Sequence, residues 1–205
     1  MCAVAAFLAA GSMSCTSEQP PEGPAPPSVL VPGRPGEPNR VVPPEDAGDL
    51  RPDTPPAEAD LHYARQMIAH HQQALEMSTL AVRRTTREDV RGIAARITDS
   101  QGPEITVMTT WLRRLGQEPG GAHHGADPAG MPGMATPDQL AMLRAAGGAD
   151  FDRLFLQLMT AHHEGAVTMA TQVLSTGTDV YIEEMARDVI ATQTDEIARM
   201  RAIRP

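Results

Sequence analysis

The chain has 205 residues, which gives room for one domain of ordinary size with appended segments. It carries 26 acidic and 17 basic residues, every basic one an arginine, and its net charge is −9. This acidic balance argues against nucleic acid as a partner, because a nucleic-acid-binding domain needs a basic surface. Aromatic residues make up only 3%, so the 12 methionines are expected to share the core with Ala, Leu, Ile and Val.

The first fifteen residues have the features of a bacterial export signal. Residues 1–14 are apolar or small, and this run is too short to span a bilayer. The sequence Ser-Met-Ser-Cys that ends at Cys15 resembles a lipobox, in which the cysteine is lipidated and becomes the first residue. We therefore predict a signal peptide and an extracytoplasmic lipoprotein, anchored through Cys15 to the outer face of the bacterial cell membrane, or else a secreted protein. A disordered start without a targeting role is the alternative.

Residues 16–54 are rich in proline, glycine and glutamate, and their few apolar residues follow neither the strand nor the helix period. Such a segment cannot bury enough surface to offset the entropy that it would lose on ordering. We predict a disordered tether that holds the folded part away from a membrane. Because both cysteines, Cys2 and Cys15, precede the tether, the folded part must bind any metal through imidazole, thioether, carboxylate or amide groups.

Two long helices are predicted after the tether. Helix one is expected to begin near Pro55, where proline suits the first turn, and to end near Arg84. Residues 85–88, Thr-Thr-Arg-Glu, then match a capping box that opens helix two. This helix should kink at Gly102-Pro103, because proline removes a backbone hydrogen bond, and it should stop at Leu115-Gly116.

A loop rich in Gly, His, Pro and Met and a short helix separate these two helices from two more. The short helix begins at the capping box of Thr136 and ends near Ala146, helix three covers about 150–174, and helix four covers about 179–203. Short connections favour antiparallel neighbours, so each pair of long helices should form a hairpin. The predicted domain is thus repeat one at 55–116, the loop and short helix at 117–148, and repeat two at 149–205.

The two hairpins carry a repeated stretch that contains a histidine pair, at an offset of 92 residues from Met67 to Met159. The first copy reads Met-Ile-Ala-His-His-Gln-Gln-Ala-Leu-Glu-Met, and the second reads Met-Thr-Ala-His-His-Glu-Gly-Ala-Val-Thr-Met. The same offset aligns Gln101, Glu104, Ile105 and Met108 with Gln193, Glu196, Ile197 and Met200. A repeat of this kind predicts an all-α four-helix bundle made of two repeated helical hairpins, with the short helix in the central connection.

The helical period places each histidine pair and its flanking methionines on one stripe of the helix. The Gln, Glu and Met residues of the following helix form a matching stripe, so the two stripes are expected to meet inside each hairpin. The candidate metal ligands are therefore Met67, His70, His71, Met77, Glu104, Met108, Met159, His162, His163, Met169, Glu196 and Met200.

Packing alone is the alternative interpretation of these stripes. A histidine on an apolar face is often a hydrogen-bonded core residue, and methionine fills gaps in cores rich in alanine. Under this interpretation Glu104 and Glu196 are buried polar partners of the histidines. Four matched histidines flanked by four methionines exceed what packing requires, because burying so many polar groups is costly unless they have partners.

Around the histidine pairs the sequence resembles the bacterial domain-of-unknown-function family 305, over about residues 57–205. The residues that carry the resemblance are Met67, His70, His71, Ala74, Met77, Phe151, Asp152, Met159, His162, His163, Ala166 and Met169. The resemblance implies a ferritin-like bundle built from two-helix units and an exported setting. It implies no particular reaction, although copper handling is associated with some relatives.

These ligands favour copper over other metal ions, and the next alternative is that the protein binds no metal. Ferritin-like di-iron sites use Glu-x-x-His pairs, whereas Met67 and Met159 stand three residues before His70 and His162. A thioether in place of a carboxylate moves the preference from iron towards copper, above all Cu(I). Zinc would accept histidine and glutamate but would leave the methionines without a role.

The loop between the repeats offers a second set of such ligands, namely His123, His124, Met131 and Met134. Either this flexible segment captures copper and passes it to the bundle, or it is a Gly- and Pro-rich linker with incidental His and Met.

These patterns predict an exported, lipid-anchored protein that handles copper in storage, delivery or tolerance rather than in catalysis. One alternative is a ferritin-like metal-dependent oxidoreductase that uses Glu104 and Glu196 as ligands. Another is a structural or interaction module that binds no metal. The sequence shows no nucleophile–base pair, phosphate-binding glycine loop or zinc-protease motif, so hydrolytic and nucleotide chemistry have little support. A protein partner is not indicated by any motif.

Overall fold

The structure of the chain is a computed structural model that describes residues 28–31, 38–47, 55–119 and 130–203. The chain divides into two compact units, Met1–Asp53 and Thr54–Pro205. The signal-like segment that ends at Cys15 lies outside the described residues, as do His123 and His124 of the predicted loop site. Within the described ranges, no helix is both long enough and apolar enough to cross a membrane.

The first unit contains a short hairpin in the segment that we predicted to be a disordered tether. Strands β1 (Val29–Val31) and β2 (Arg40–Val42) pair in antiparallel fashion, and the four-residue helix α1 (Pro44–Ala47) follows them. Leu30 lies opposite Val41 in this pair. Apolar and β-branched residues favour cross-strand pairing, which explains why a hairpin forms here although we predicted no secondary structure. The role of the segment as a tether stays a prediction.

The described residues of the second unit form five helices. They are α2 (Glu58–Arg84), α3 (Glu88–Arg114), α4 (Pro137–Ala145), α5 (Gly148–Thr176) and α6 (Val180–Ala202). Helices α2 and α3 pack as one hairpin, α5 and α6 pack as the other, and α2 lies against α5 to join the two. The predicted all-α four-helix bundle, with its short extra helix, is confirmed.

A buried carboxylate joins the start of the first hairpin to the turn of the second. Asp60 on α2 is fully buried, and its Oδ2 accepts hydrogen bonds from the backbone N–H groups of Ala57, Thr178 and Asp179 at 2.8, 3.0 and 3.2 Å. The turn comes very near this carboxylate at Gly177, where a Cβ atom would lie 2.2 Å from Asp60 Oδ1. This contact fixes the two hairpins against each other at one end of the bundle.

One local detail differs from the sequence prediction. The capping box predicted at Thr85 does not form, because the N-cap of α3 is Arg87, whose side chain makes no capping hydrogen bond. The connection from α2 is so short that Thr85 already ends that helix, and its hydroxyl accepts from the N–H of Arg87 at 3.0 Å instead. Helix α3 continues through the exposed Pro103, in line with its predicted extent, and the kink expected there stays a prediction.

Candidate metal centre

The four histidines of the repeat meet in the middle of the bundle. His70 and His71 on α2 and His162 and His163 on α5 each have an exposed fraction of 0%. Neighbouring residues on a helix point about 100° apart, so the two histidines of a pair face different helices. His70 and His162 face each other across the contact of α2 with α5, and their ring centroids are 3.7 Å apart with the planes tilted by 35°.

The second histidine of each pair contacts the glutamate of its own hairpin. His71 Nε2 lies 2.6 Å from Glu104 Oε2, and His163 Nε2 lies 2.9 Å from Glu196 Oε2. The predicted meeting of a Met/His stripe with a Gln/Glu/Met stripe is therefore what the structure shows. The two pairs differ in their access to solvent, because the Glu104 side chain is 23% exposed and that of Glu196 only 1%.

A strap of five residues, 131–135, crosses α2 and α5 above the His70–His162 pair. The carbonyl oxygen of Pro132 accepts a hydrogen bond from His70 Nε2 at 3.0 Å. The side-chain amide of Gln73 holds the next part of the strap, since its Nε2 donates to Ala135 O at 3.0 Å and its Oε1 accepts from Ala135 N at 2.7 Å.

Two glycines let the strap lie directly on α5. A Cβ atom at Gly165 would lie 2.0 Å from the carbonyl oxygen of Pro132, and one at Gly133 would lie 2.3 Å from the carbonyl oxygen of Ala161. Gly133 also has a φ of 75°, a backbone conformation that residues with a side chain rarely adopt. Any larger residue at these two positions would push the strap away from the histidines.

Burial sets the electrostatics of the imidazole pair. Loss of hydration lowers the pKa of His70 to about 4, although the hydrogen bond to the Pro132 carbonyl opposes this shift, and His71 and His163 add to it. The pKa of His162 is lowered well below its ordinary value, first by burial and then by the other three histidines, although the backbone of His70 opposes this shift. His70 and His162 are therefore neutral at pH 7, and a neutral imidazole is the form that binds a metal ion.

The buried methionines of the repeats form two groups, one on each side of the histidines. Met77, Met159 and Met200 belong to one core cluster, and Met67, Met108 and Met169 belong to the other. The second cluster also contains Met185 of α6, so each group draws methionines from both hairpins. The strap makes the groups unequal, because Met131 is buried in the second cluster and Met134 packs against it half-buried. These two loop candidates thus lie on the bundle rather than on a free segment.

Many polar atoms around the histidines have no hydrogen-bond partner among the described residues. The unpartnered atoms are Nδ1 of His70, His71 and His163, both ring nitrogens of His162, Oε1 of Glu196, and both amide atoms of Gln101 and Gln193. Each such buried group costs about 1–3 kcal/mol if it stays without a partner. The set is rich in nitrogen donors, and buried thioethers lie on both sides of it, so these donors fit a soft or borderline metal ion.

The donors do not yet surround a common point. Across the residues that the structure describes, no three His, Cys, Asp or Glu side chains are arranged to hold a metal ion. The rings of His70 and His162 lie against each other instead, and His71 and His163 are engaged by their glutamates. The rings would have to turn before a common ion could reach several of them.

Sequence reasoning missed the strap and the polar tip of Tyr63. The Pro132 carbonyl leaves no trace in a side-chain pattern, although one signal was available: Gly165 stands where the first repeat has Gln73. Burial, followed by the charge of Glu104, raises the pKa of the buried Tyr63 hydroxyl, which places this group within electrostatic range of the centre. The second repeat has Phe155 at the equivalent position.

Fold and site together define a duplicated four-helix protein with buried imidazoles at its centre. The family model of DUF305, a domain of unknown function, matches residues 60–204, and the chain belongs to this family. Two crystal structures of the family are similar. A protein from Streptomyces coelicolor, which is inferred to be secreted, is 36% identical to this chain, with a TM-score of 0.64. The match covers 69% of this chain and 88% of that protein. A fragment from Deinococcus radiodurans is 33% identical with a TM-score of 0.66, covering 72% and 95%.

The chain is also similar to CopM, whose structures include Cu(I)-, Cu(II)- and silver-bound forms. The Cu(I)-bound form of CopM is 27% identical, with a TM-score of 0.58, and the match covers 69% of this chain and 92% of that protein. No curated protein matches the chain.

Proposed function

We propose that this protein is an exported copper-handling protein that holds the ion with buried imidazoles and thioethers. The observation that carries the proposal is His162, which is fully buried and has no hydrogen-bond partner for either ring nitrogen among the described residues. A polar ring in this state is costly unless another group satisfies it. A metal ion at the centre would supply that partner.

The residues present match copper better than other common ions. Imidazole suits copper, zinc and iron alike, whereas the thioethers on both sides of the histidines favour Cu(I). An ordinary ferritin-like di-iron centre would require more inward carboxylates than Glu104 and Glu196. The likeness to CopM, which has been crystallised with copper and silver, supports the same choice. Copper would be the cargo, and storage, delivery or tolerance the purpose.

Export and anchoring belong to the same proposal. The likeness to the inferred secreted protein of Streptomyces coelicolor supports an extracytoplasmic location. The lipobox-like sequence that ends at Cys15 supports a lipid anchor at that cysteine. A fusion of residues 1–54 to a reporter protein tests both, because lipidation requires Cys15 and a Cys15→Ala fusion should be released from the membrane. A fusion that stays inside the cell would contradict the export proposal.

Competition with a chromophoric Cu(I) chelator tests copper binding on the full chain. We expect stoichiometric binding by the native chain and loss of that binding in the double variant His70→Gln/His162→Gln. His62→Gln is the matched control, because His62 lies on the same helix but is exposed. Circular dichroism should show the same helix content in all three chains. If copper binding is absent, the histidines are packing residues of a module without metal. If the double variant binds as tightly as the control, His70 and His162 are not ligands and the proposed centre is wrong.

A further inference from the structure

We propose that Nδ1 is the nitrogen that His70, His71 and His163 each keep available for metal, and that Glu104, Glu196 and the carbonyl group of Pro132 are positioning groups rather than ligands. Each of these groups holds the opposite ring nitrogen, Nε2, of one histidine. The inference rests on the proposed function where it concerns the ion. Its first consequence, the tautomer of each ring, can be measured without any metal.

The hydrogen bonds themselves assign the tautomers. A carbonyl oxygen can only accept, so the Nε2 of His70 must carry the proton that it donates to Pro132 O. A carboxylate also accepts, so Nε2 of His71 donates to Glu104 and Nε2 of His163 donates to Glu196. A neutral ring protonated at Nε2 keeps its lone pair on Nδ1.

Those lone pairs are free in all three rings. Nδ1 of His70, His71 and His163 is buried and has no hydrogen-bond partner within the described part of the chain. The oxygens that hold Nε2 come from three different elements, namely α3, α6 and the strap. Three separate elements thus produce one outcome, with Nε2 held and Nδ1 left open.

This arrangement is the one by which proteins prepare a histidine to bind metal. A ligating imidazole usually donates its other ring N–H to a carboxylate or a backbone carbonyl, which fixes the tautomer and raises the basicity of the ligating nitrogen. Ligation through Oε2 of Glu104 or Glu196 would leave the buried Nε2–H of its histidine without a partner, at a cost. His162 alone has neither nitrogen held, so it is the ring that can present either one to the ion.

Imidazole ¹⁵N spectra of the full chain without metal provide the first test. At mildly alkaline pH, long-range ¹H–¹⁵N correlations should show protonated Nε2 and bare Nδ1 for His70, His71 and His163. The opposite tautomer in His71 and His163 would overturn the inference, whatever the protein does with copper.

Ag(I), a soft and diamagnetic ion, extends the same experiment to the bound state. We expect Ag(I) to shift the Nδ1 resonances of these rings while their Nε2 atoms stay protonated. Deprotonation of Nε2 on binding would overturn the assignment. Correct tautomers without any response to Ag(I) would instead count against the proposed function and leave these nitrogens without an ion to bind.

Paired substitutions separate a positioning glutamate from a ligand. In Glu104→Gln and Glu196→Gln the amide oxygen can still accept from Nε2–H, so Cu(I) affinity should stay within about threefold, whereas the Ala variants should lose about 10- to 100-fold. Glu184→Gln, at an exposed position on α6, is the matched control. If the Gln variants bind as weakly as the Ala variants, the glutamates are ligands. Should Glu196→Ala fail to fold, the pair at the partly exposed Glu104 decides the question.

Discussion

The two repeats place the same side chains in different surroundings. His70 and His162 occupy equivalent positions and lie against each other, yet only His70 has a hydrogen-bond partner, the carbonyl oxygen of Pro132. The strap contacts Gln73 in the first repeat and Gly165 in the second. The 92-residue offset makes these two positions equivalent. The strap therefore bonds only one of the two equivalent imidazoles.

The glutamates show the same inequality. Glu196 is enclosed, with a side chain 1% exposed, whereas Glu104 is 23% exposed and has the Tyr63 hydroxyl within electrostatic range. The second repeat has Phe155 in place of that tyrosine. Duplication therefore supplied two copies of the donors, and the connection and a few substitutions made one half more open to solvent than the other.

The largest expected effect is the loss of stability in acid, which tests the burial of the two facing imidazoles. The pKa of His70 is about 4 in the folded chain and about 6.5 when unfolded, so the unfolded state binds more protons between these values. The free energy of unfolding should therefore fall by about 3 kcal/mol from His70 alone as the pH drops from 6.5 to 4. His162 shifts in the same direction and adds to the loss.

Urea unfolding at a series of pH values, followed by the fluorescence of the single Trp111, measures this dependence. The His70→Gln variant should lose about 3 kcal/mol of the pH dependence. If the stability of the native chain stays constant or rises as the pH drops from 6.5 to 4, the burial of neutral imidazoles is contradicted.

The next largest effect compares the two glutamates. Glu196→Ala should cost about 3 kcal/mol, because it leaves the fully buried His163 without its partner. Glu104→Ala should cost about 1 kcal/mol, since water can reach the space that the side chain leaves. Chemical unfolding of both variants measures the difference, and equal losses would show that the two halves are not distinguished by burial.

The smallest effect concerns the strap. Substitution by alanine should lower the stability at one glycine and raise it at another. Gly165→Ala should cost about 1–2 kcal/mol, because overpacking against the Pro132 carbonyl outweighs the gain in helix propensity. Gly92→Ala, in α3, is the matched control and should gain up to about 1 kcal/mol, since nothing lies within 4 Å of its added Cβ. Thermal unfolding compares the two, and stabilisation by both would mean that the strap is not held against α5.

The helices and the pairing of their faces could be predicted because local rules decide them. The capping box of Thr136 begins α4 as expected, and the stripe rule brought His71 opposite Glu104 and His163 opposite Glu196. The face of His70 towards His162 follows from the same periodicity once α2 and α5 are known to be in contact. That contact is a property of the whole bundle, and the sequence could not say whether the halves share a centre.

The remaining features depend on the path of the chain in space. Pro132 acts through its backbone oxygen, which no residue pattern reveals, and the close approach at Gly165 became meaningful only with the strap in view. The Thr85 capping box failed because a short connection gives one threonine to the end of α2. The ladder between β1 and β2 was missed because its two three-residue strands are too short for a periodic signal.

X-ray absorption at the copper edge of the full chain, loaded with one equivalent of Cu(I), tests the central claim most directly. We expect a shell of nitrogen and sulfur neighbours, and a smaller nitrogen contribution in the His70→Gln/His162→Gln variant but not in His62→Gln. A shell of oxygen atoms alone, or a spectrum that the buried histidine substitutions leave unchanged, would contradict a copper centre built from the repeated imidazoles.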